Sequence, residues 1–111
     1  MRALALAVGW TLVAAIIWLS LTPKPVEVAF EHGDKLGHFA AYGAAMFWFC
    51  LLYPRWWTRL AYALGFSAIG VALEFAQRAT GYRTFDVLDM AADAVGVLLG
   101  WALAQALAWR L

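Results

Sequence analysis

Three stretches of this chain carry residue types able to do chemistry. The first holds Asp34, Lys35, His38 and Tyr42, the second Glu74 and Gln77, and the third Arg83, Asp86, Asp89 and Asp93. Their spacing is helical. Asp34, His38 and Tyr42 recur every four residues and share one helix face, and Gly70, Glu74 and Gln77 share another. Asp86, Asp89, Asp93, Gly96 and Gly100 form a single stripe, acidic at one end and glycine further along. Gly96 and Gly100, four apart, let a neighbouring helix approach closely, which would bury that stripe. Lys35 and Arg83 suit a phosphate or carboxylate, the arginine in bidentate fashion. His38 with Glu74 or Asp89 would make an acid–base pair, and these three are the catalytic candidates. Asp34, Lys35, Tyr42, Gln77, Arg83, Asp86 and Asp93 are the ligand-binding candidates.

Two other readings of the same residues stand beside this one. In the first, Lys35 and Arg83 neutralise Asp86, Asp89 and Glu74 in a network that only fixes a bundle. In the second, the carboxylates and His38 hold a hard cation. No tight ligand motif such as His-Glu-x-x-His is present, so the sequence assigns no metal ligand and names no cofactor. Singly, the residues are ordinary: His38 suits a hydrogen-bonded core, Lys35 can snorkel to headgroups, Tyr42 suits an interface, and Asp34 suits a helix cap. Glu27 and Glu31 read as solvated loop charges. The combination carries the argument, because intramembrane ionisable groups are costly, on the order of 2.5 to 3.5 kcal/mol each when unpaired.

The elements that must position these residues are hydrophobic. The chain has 111 residues, of which 66% are hydrophobic and 14% charged. A soluble domain has about a quarter charged residues. Four apolar segments are expected as transmembrane helices, at about 3–21, 34–53, 59–77 and 86–109, forming an all-α antiparallel bundle in a single domain, 1–111. The first follows Arg2 and runs longer than a signal-peptide core, with no small-x-small site after it, so it reads as an uncleaved signal anchor. Pro23 and Pro25 stop it. The stretch 22–33 alternates apolar and acidic residues and suits a segment along the membrane interface. Pro54, Arg55, Trp56, Trp57 and Thr58 read as a short headgroup-level connection to Arg59, and Gly81 as the turn between helices three and four. The single cysteine, Cys50, sits in an apolar run and reads as a packing residue.

Orientation rests on the short loops, and lysines and arginines tie between the two ends. The end with both termini carries no acid, and Trp56, Trp57 and Trp109 mark it as a basic and aromatic interface, which places both termini in the cytoplasm. Consecutive antiparallel helices then bring all seven acidic residues to the opposite membrane face. The formal net charge of +1 gives no nucleic-acid signal.

At these residues the sequence resembles the VanZ-like family of small bacterial membrane proteins. The family pattern is Asp-Lys-x-x-His-x-x-x-Tyr, then Glu-x-x-Gln, then Arg-x-x-Asp-x-x-Asp-x-x-x-Asn-x-x-Gly. Asp34, Lys35, His38 and Tyr42 match the first, Glu74 and Gln77 the second, and Arg83, Asp86, Asp89 and Gly96 the third. Asp93 stands where the family has asparagine, as an added charge or as a protonated acid that bonds as the amide would. The resemblance covers about 34–100. It implies a multi-pass protein of the bacterial cytoplasmic membrane and cell envelope, with a namesake associated with resistance to the antibiotic teicoplanin, and it assigns no reaction.

Two functional expectations follow. One is a site at the non-cytoplasmic face that binds or processes an anionic, lipid-linked envelope intermediate. The other is a non-enzymatic accessory or scaffold protein whose polar cluster is structural and whose apolar faces meet the bilayer, a membrane-protein partner or a second copy. A transporter is disfavoured, because four helices without an inverted repeat suit alternating access poorly.

Overall fold

The computed structural model describes residues 1–21, 33–81 and 87–110, with side chains described for 1–21, 36–81 and 87–107. The expectations for the loop at 22–32, for Arg83 and Asp86, and for the side chains of Asp34, Lys35 and Trp109 lie outside the described residues. Among the described residues there are four helices: α1 (Arg2–Leu21), α2 (Gly33–Leu52), α3 (Trp56–Thr80) and α4 (Val87–Arg110). No strand occurs among the described residues.

The ends of the helices follow local chemistry. Pro54 restricts the residue before it, so α2 ends at Leu52, and Arg55 is extended at φ −71°, ψ 127°. Nothing after Arg55 resists helix formation. Trp56 and Trp57 therefore form the first turn of α3, three residues earlier than the sequence suggests, with their exposed rings stacked 4.3 Å apart. At its other end α3 continues past Gln77 to Thr80, because Gly81 is the residue that turns left-handed. At φ 80° it donates its N–H to the Arg78 carbonyl, closing the helix as glycine does best. On α2, Gly33 is already helical, so by backbone position Asp34 lies inside the first turn.

The burial pattern is that of a protein dissolved in lipid. Leu4, Trp18, Leu64, Leu98 and Leu103 face outward, whereas Ser20, Arg59, Glu74, Gln77, Asp89 and Asp93 are buried. Arg2–Leu21, Trp56–Thr80 and Val87–Leu107 are each long and apolar enough to cross a membrane, and the apolar part of α2, Leu36–Leu52, is shorter. The long axis of 45 Å matches a bilayer with its headgroups, about 40 to 45 Å.

Contacts between helix ends define an up-down-up-down order. Trp48 Nε1 donates to Ala5 O at 2.8 Å, joining the end of α2 to the start of α1. Arg59 donates to Gln105 Oε1, joining the start of α3 to the end of α4. Gln77 Nε2 donates to Ser20 O at 2.6 Å, where α1 and α3 both end.

Helices α2 and α4 consequently run parallel, and theirs is the most extensive contact in the bundle. Glycines make it possible. A methyl at Gly96 would collide with the Phe39 carbonyl oxygen, and one at Gly100 with the Gly43 carbonyl oxygen. The two backbones therefore touch, as small residues permit between membrane helices. Below this contact Phe49, Met46, Cys50 and Val97 fill the core. Phe49 stacks on Tyr62 at 4.6 Å and meets Trp10 edge-on at 5.2 Å, which ties α1 and α3 to α2.

Candidate functional site

His38 lies in the second turn of α2, and close backbone packing sets it against the start of α4. Its Nδ1–H donates to Asp93 Oδ1 at 2.9 Å. With Nδ1 engaged, Nε2 points toward Asp89, 3.9 Å from Oδ2, which is beyond hydrogen-bonding distance. Asp89 belongs to the first turn of α4, and Asp93 lies one turn deeper. The histidine side chain retains 17% exposure, so one edge of the cluster is reachable from outside the bundle.

The third wall is α3, which contributes Glu74, 1% exposed. One nitrogen of His38 and one carboxylate oxygen each from Glu74 and Asp89 lie within 4.8 Å of one another. Glu74 and Asp89 also make further interactions. One turn before Glu74 stands Gly70, where an added Cβ would come within 2.7 Å of Asp93 Oδ2. Only a residue without a side chain leaves Asp93 its place between α2 and α3.

Of the residues singled out from the sequence, His38, Glu74, Asp89 and Asp93 come together from three helices. Tyr42 is buried on the His38 face of α2, one turn deeper. Gln77 is also buried, but its amide nitrogen is spent on the Ser20 carbonyl and ties α3 to α1. Asp34 and Lys35 occupy the first turn of α2 by backbone position.

Arg59 shows what the sequence reading missed. It reads as a headgroup residue, yet it is buried at the opposite end of the bundle, where it donates to Tyr53 O at 2.8 Å, Cys50 O at 2.8 Å and Gln105 Oε1. The available signal is that the last carbonyls of α2 need donors, and an arginine enters the next helix one turn along.

Four helices, three of them long and apolar enough to cross a membrane, around a partly exposed histidine held by buried carboxylates define a small multi-pass membrane protein. The model of the VanZ/LLP1 family matches residues 5–108, and the chain belongs to that family. Comparison with curated proteins and with solved structures finds no match.

Proposed function

We propose that this VanZ/LLP1 protein binds an anionic, lipid-linked intermediate of the bacterial cell envelope in the polar cluster at the non-cytoplasmic face of the cytoplasmic membrane. The observation that carries the reading is His38, partly exposed and held by the buried Asp93 at the level where α2 and α4 begin. An imidazole fixed on one nitrogen presents the other in a defined direction, which a binding site requires and a lipid-facing helix does not. Lys35 and Arg83 supply the positive charge for the headgroup, and the chain acts as one membrane domain with both termini in the cytoplasm. Teicoplanin resistance would follow if the retained intermediate were one that the antibiotic also engages.

A second reading, the structural accessory protein, draws on Gln77 and Arg59, whose hydrogen bonds serve main-chain carbonyls and a neighbouring amide. Buried polar groups in this chain do hold helices together, and the cluster would be a further instance.

Mass spectrometry of lipids retained by the purified protein separates the two, with Lys35→Gln, His38→Gln and Glu74→Gln as variants and thermal stability in detergent measured beside it. A site predicts loss of a specific anionic lipid with folded yield nearly intact. Parallel loss of stability and retention in all three variants would favour the structural reading, since breaking a buried ion pair costs roughly 3 to 5 kcal/mol.

A further inference from the structure

We propose that His38, Glu74 and Asp89 ligate a divalent transition-metal cation where α2, α3 and α4 meet, with Asp93 as the residue that positions His38 for it.

Each helix contributes one donor, and the three donor atoms lie within 4.8 Å of one another. The His38 Nε2 to Asp89 Oδ2 distance of 3.9 Å is too long for a hydrogen bond and slightly long for two ligands of one ion. Ligands at about 2.0 to 2.2 Å from a tetrahedral cation stand roughly 3.3 to 3.6 Å apart. Donor separations of up to 4.8 Å exceed that by about 1.5 Å at most, and binding would draw the side chains of His38, Glu74 and Asp89 together by that amount. The donors come from three separate helices, which is why no ligand motif appears along the sequence.

Asp93 is the second observation. A metal-bound histidine commonly donates its other ring N–H to a carboxylate, which fixes the tautomer and leaves the lone pair on the ligating nitrogen. His38 Nδ1 and Asp93 Oδ1, 2.9 Å apart, have that arrangement. Gly70 makes room for it, since a side chain there would displace Asp93.

Electrostatics supplies the purpose. Glu74, Asp89 and Asp93 would repel the anionic headgroup proposed above, and a divalent ion bound between them offsets two of the three charges and presents a cation to a phosphate oxygen. For this purpose the inference rests on the anionic-ligand reading; for its geometry it does not. Each carboxylate has two oxygens, so Glu74 and Asp89 keep their other interactions while offering one oxygen to the ion. One imidazole with two carboxylates suits Zn²⁺ or Mn²⁺, and three protein ligands leave a coordination position for a phosphate oxygen. With Nε2 on the ion, His38 holds the cation and moves no proton.

The test uses the full chain, purified in detergent without a polyhistidine tag and stripped with chelator. Zn²⁺ is titrated by calorimetry and Mn²⁺ by electron paramagnetic resonance, with no lipid added. The expected result is one saturable site per chain, weakened at least tenfold by His38→Ala, Glu74→Gln and Asp89→Asn. Asp93→Ala should weaken it about 10- to 100-fold, and Asp93→Asn, which keeps an acceptor, by less. Gln105→Ala, at the opposite end of the bundle, should bind as the wild type does. Absence of a saturable site in folded wild-type protein would overturn the proposal, as would wild-type affinity in folded Glu74→Gln and Asp89→Asn. Lipid retention, assayed separately with and without chelator, keeps the two ideas apart: an ion without an anionic lipid leaves this site and removes the ligand reading, and chelator-insensitive lipid without an ion does the reverse.

Discussion

Replacing glycines by alanine one at a time should grade the bundle's stability by what each new methyl meets. An interior glycine-to-alanine change gains about 1 kcal/mol of helix propensity. At Gly65 nothing lies within 4 Å, so Gly65→Ala should keep most of that gain. At Gly43 the methyl would meet the Gly96 carbonyl oxygen at 3.1 Å, and a few tenths of an ångström of give should cancel it, leaving a change near zero. At Gly96 and Gly100 the opposing atoms are main-chain carbonyl oxygens of α2, which cannot rotate aside. The helices must part, and a gap of about 0.5 to 1 Å forfeits a quarter to a half of each contact's attraction. Overpacking of this kind costs about 1 to 3 kcal/mol. After the propensity gain, Gly96→Ala and Gly100→Ala should lose up to about 2 kcal/mol, and fall about 1 to 3 kcal/mol below Gly65→Ala. Because Gly96 abuts Phe39, next to His38, the same parting should break the His38 to Asp93 hydrogen bond. Unfolding in mixed micelles of rising dodecyl sulfate content, followed by circular dichroism, measures the order. Histidine-selective nuclear magnetic resonance reads the hydrogen bond. If Gly96→Ala and Gly100→Ala proved as stable as Gly65→Ala, the backbone contact of α2 with α4 would be refuted.

Arg59→Lys should cost about 1 to 3 kcal/mol in the same assay, because an ammonium cannot reach two carbonyls and the Gln105 amide at once. Lipid and ion binding at the other end should be unchanged, and a loss there would contradict a purely structural clamp. Cysteines introduced at 24–33 should react with an impermeant reagent in intact cells and those at 55–58 should not; native Cys50, being buried, should give little background. The opposite labelling would move the cluster to the cytoplasmic leaflet.

The helices were readable because long uncharged runs have few alternatives in lipid, and the cluster because offsets of three and four place residues on one face. Periodicity assigns faces, however, and does not say which helices touch. Hairpin logic places consecutive helices side by side, whereas the closest pair here, α2 with α4, is not consecutive. That is why the sequence sets His38 against Glu74 or Asp89 and does not single out Asp93 as its partner. It also assigned Gly70 no role, since its importance lies in the carboxylate it admits from another helix. The start of α3 was misplaced for a different reason: tryptophans beside arginine mark a membrane level, and a helix can begin at that level as readily as a loop can.

The parallel pairing of α2 with α4 bears on how the protein is made. Translation delivers α2 to the membrane two helices before its main partner exists. Until α4 leaves the ribosome, the flank of α2 at Phe39 and Gly43 and the His38 beside it lack the α4 glycines they rest against, and the apolar run of α2, Leu36–Leu52, is shorter than those of its neighbours. A nascent chain stalled before Val87 therefore exposes an unfinished helix to the insertion machinery and to membrane proteases. The polar cluster is completed only once α4 has followed α3 into the membrane, so a chain that stops short of α4 has no site.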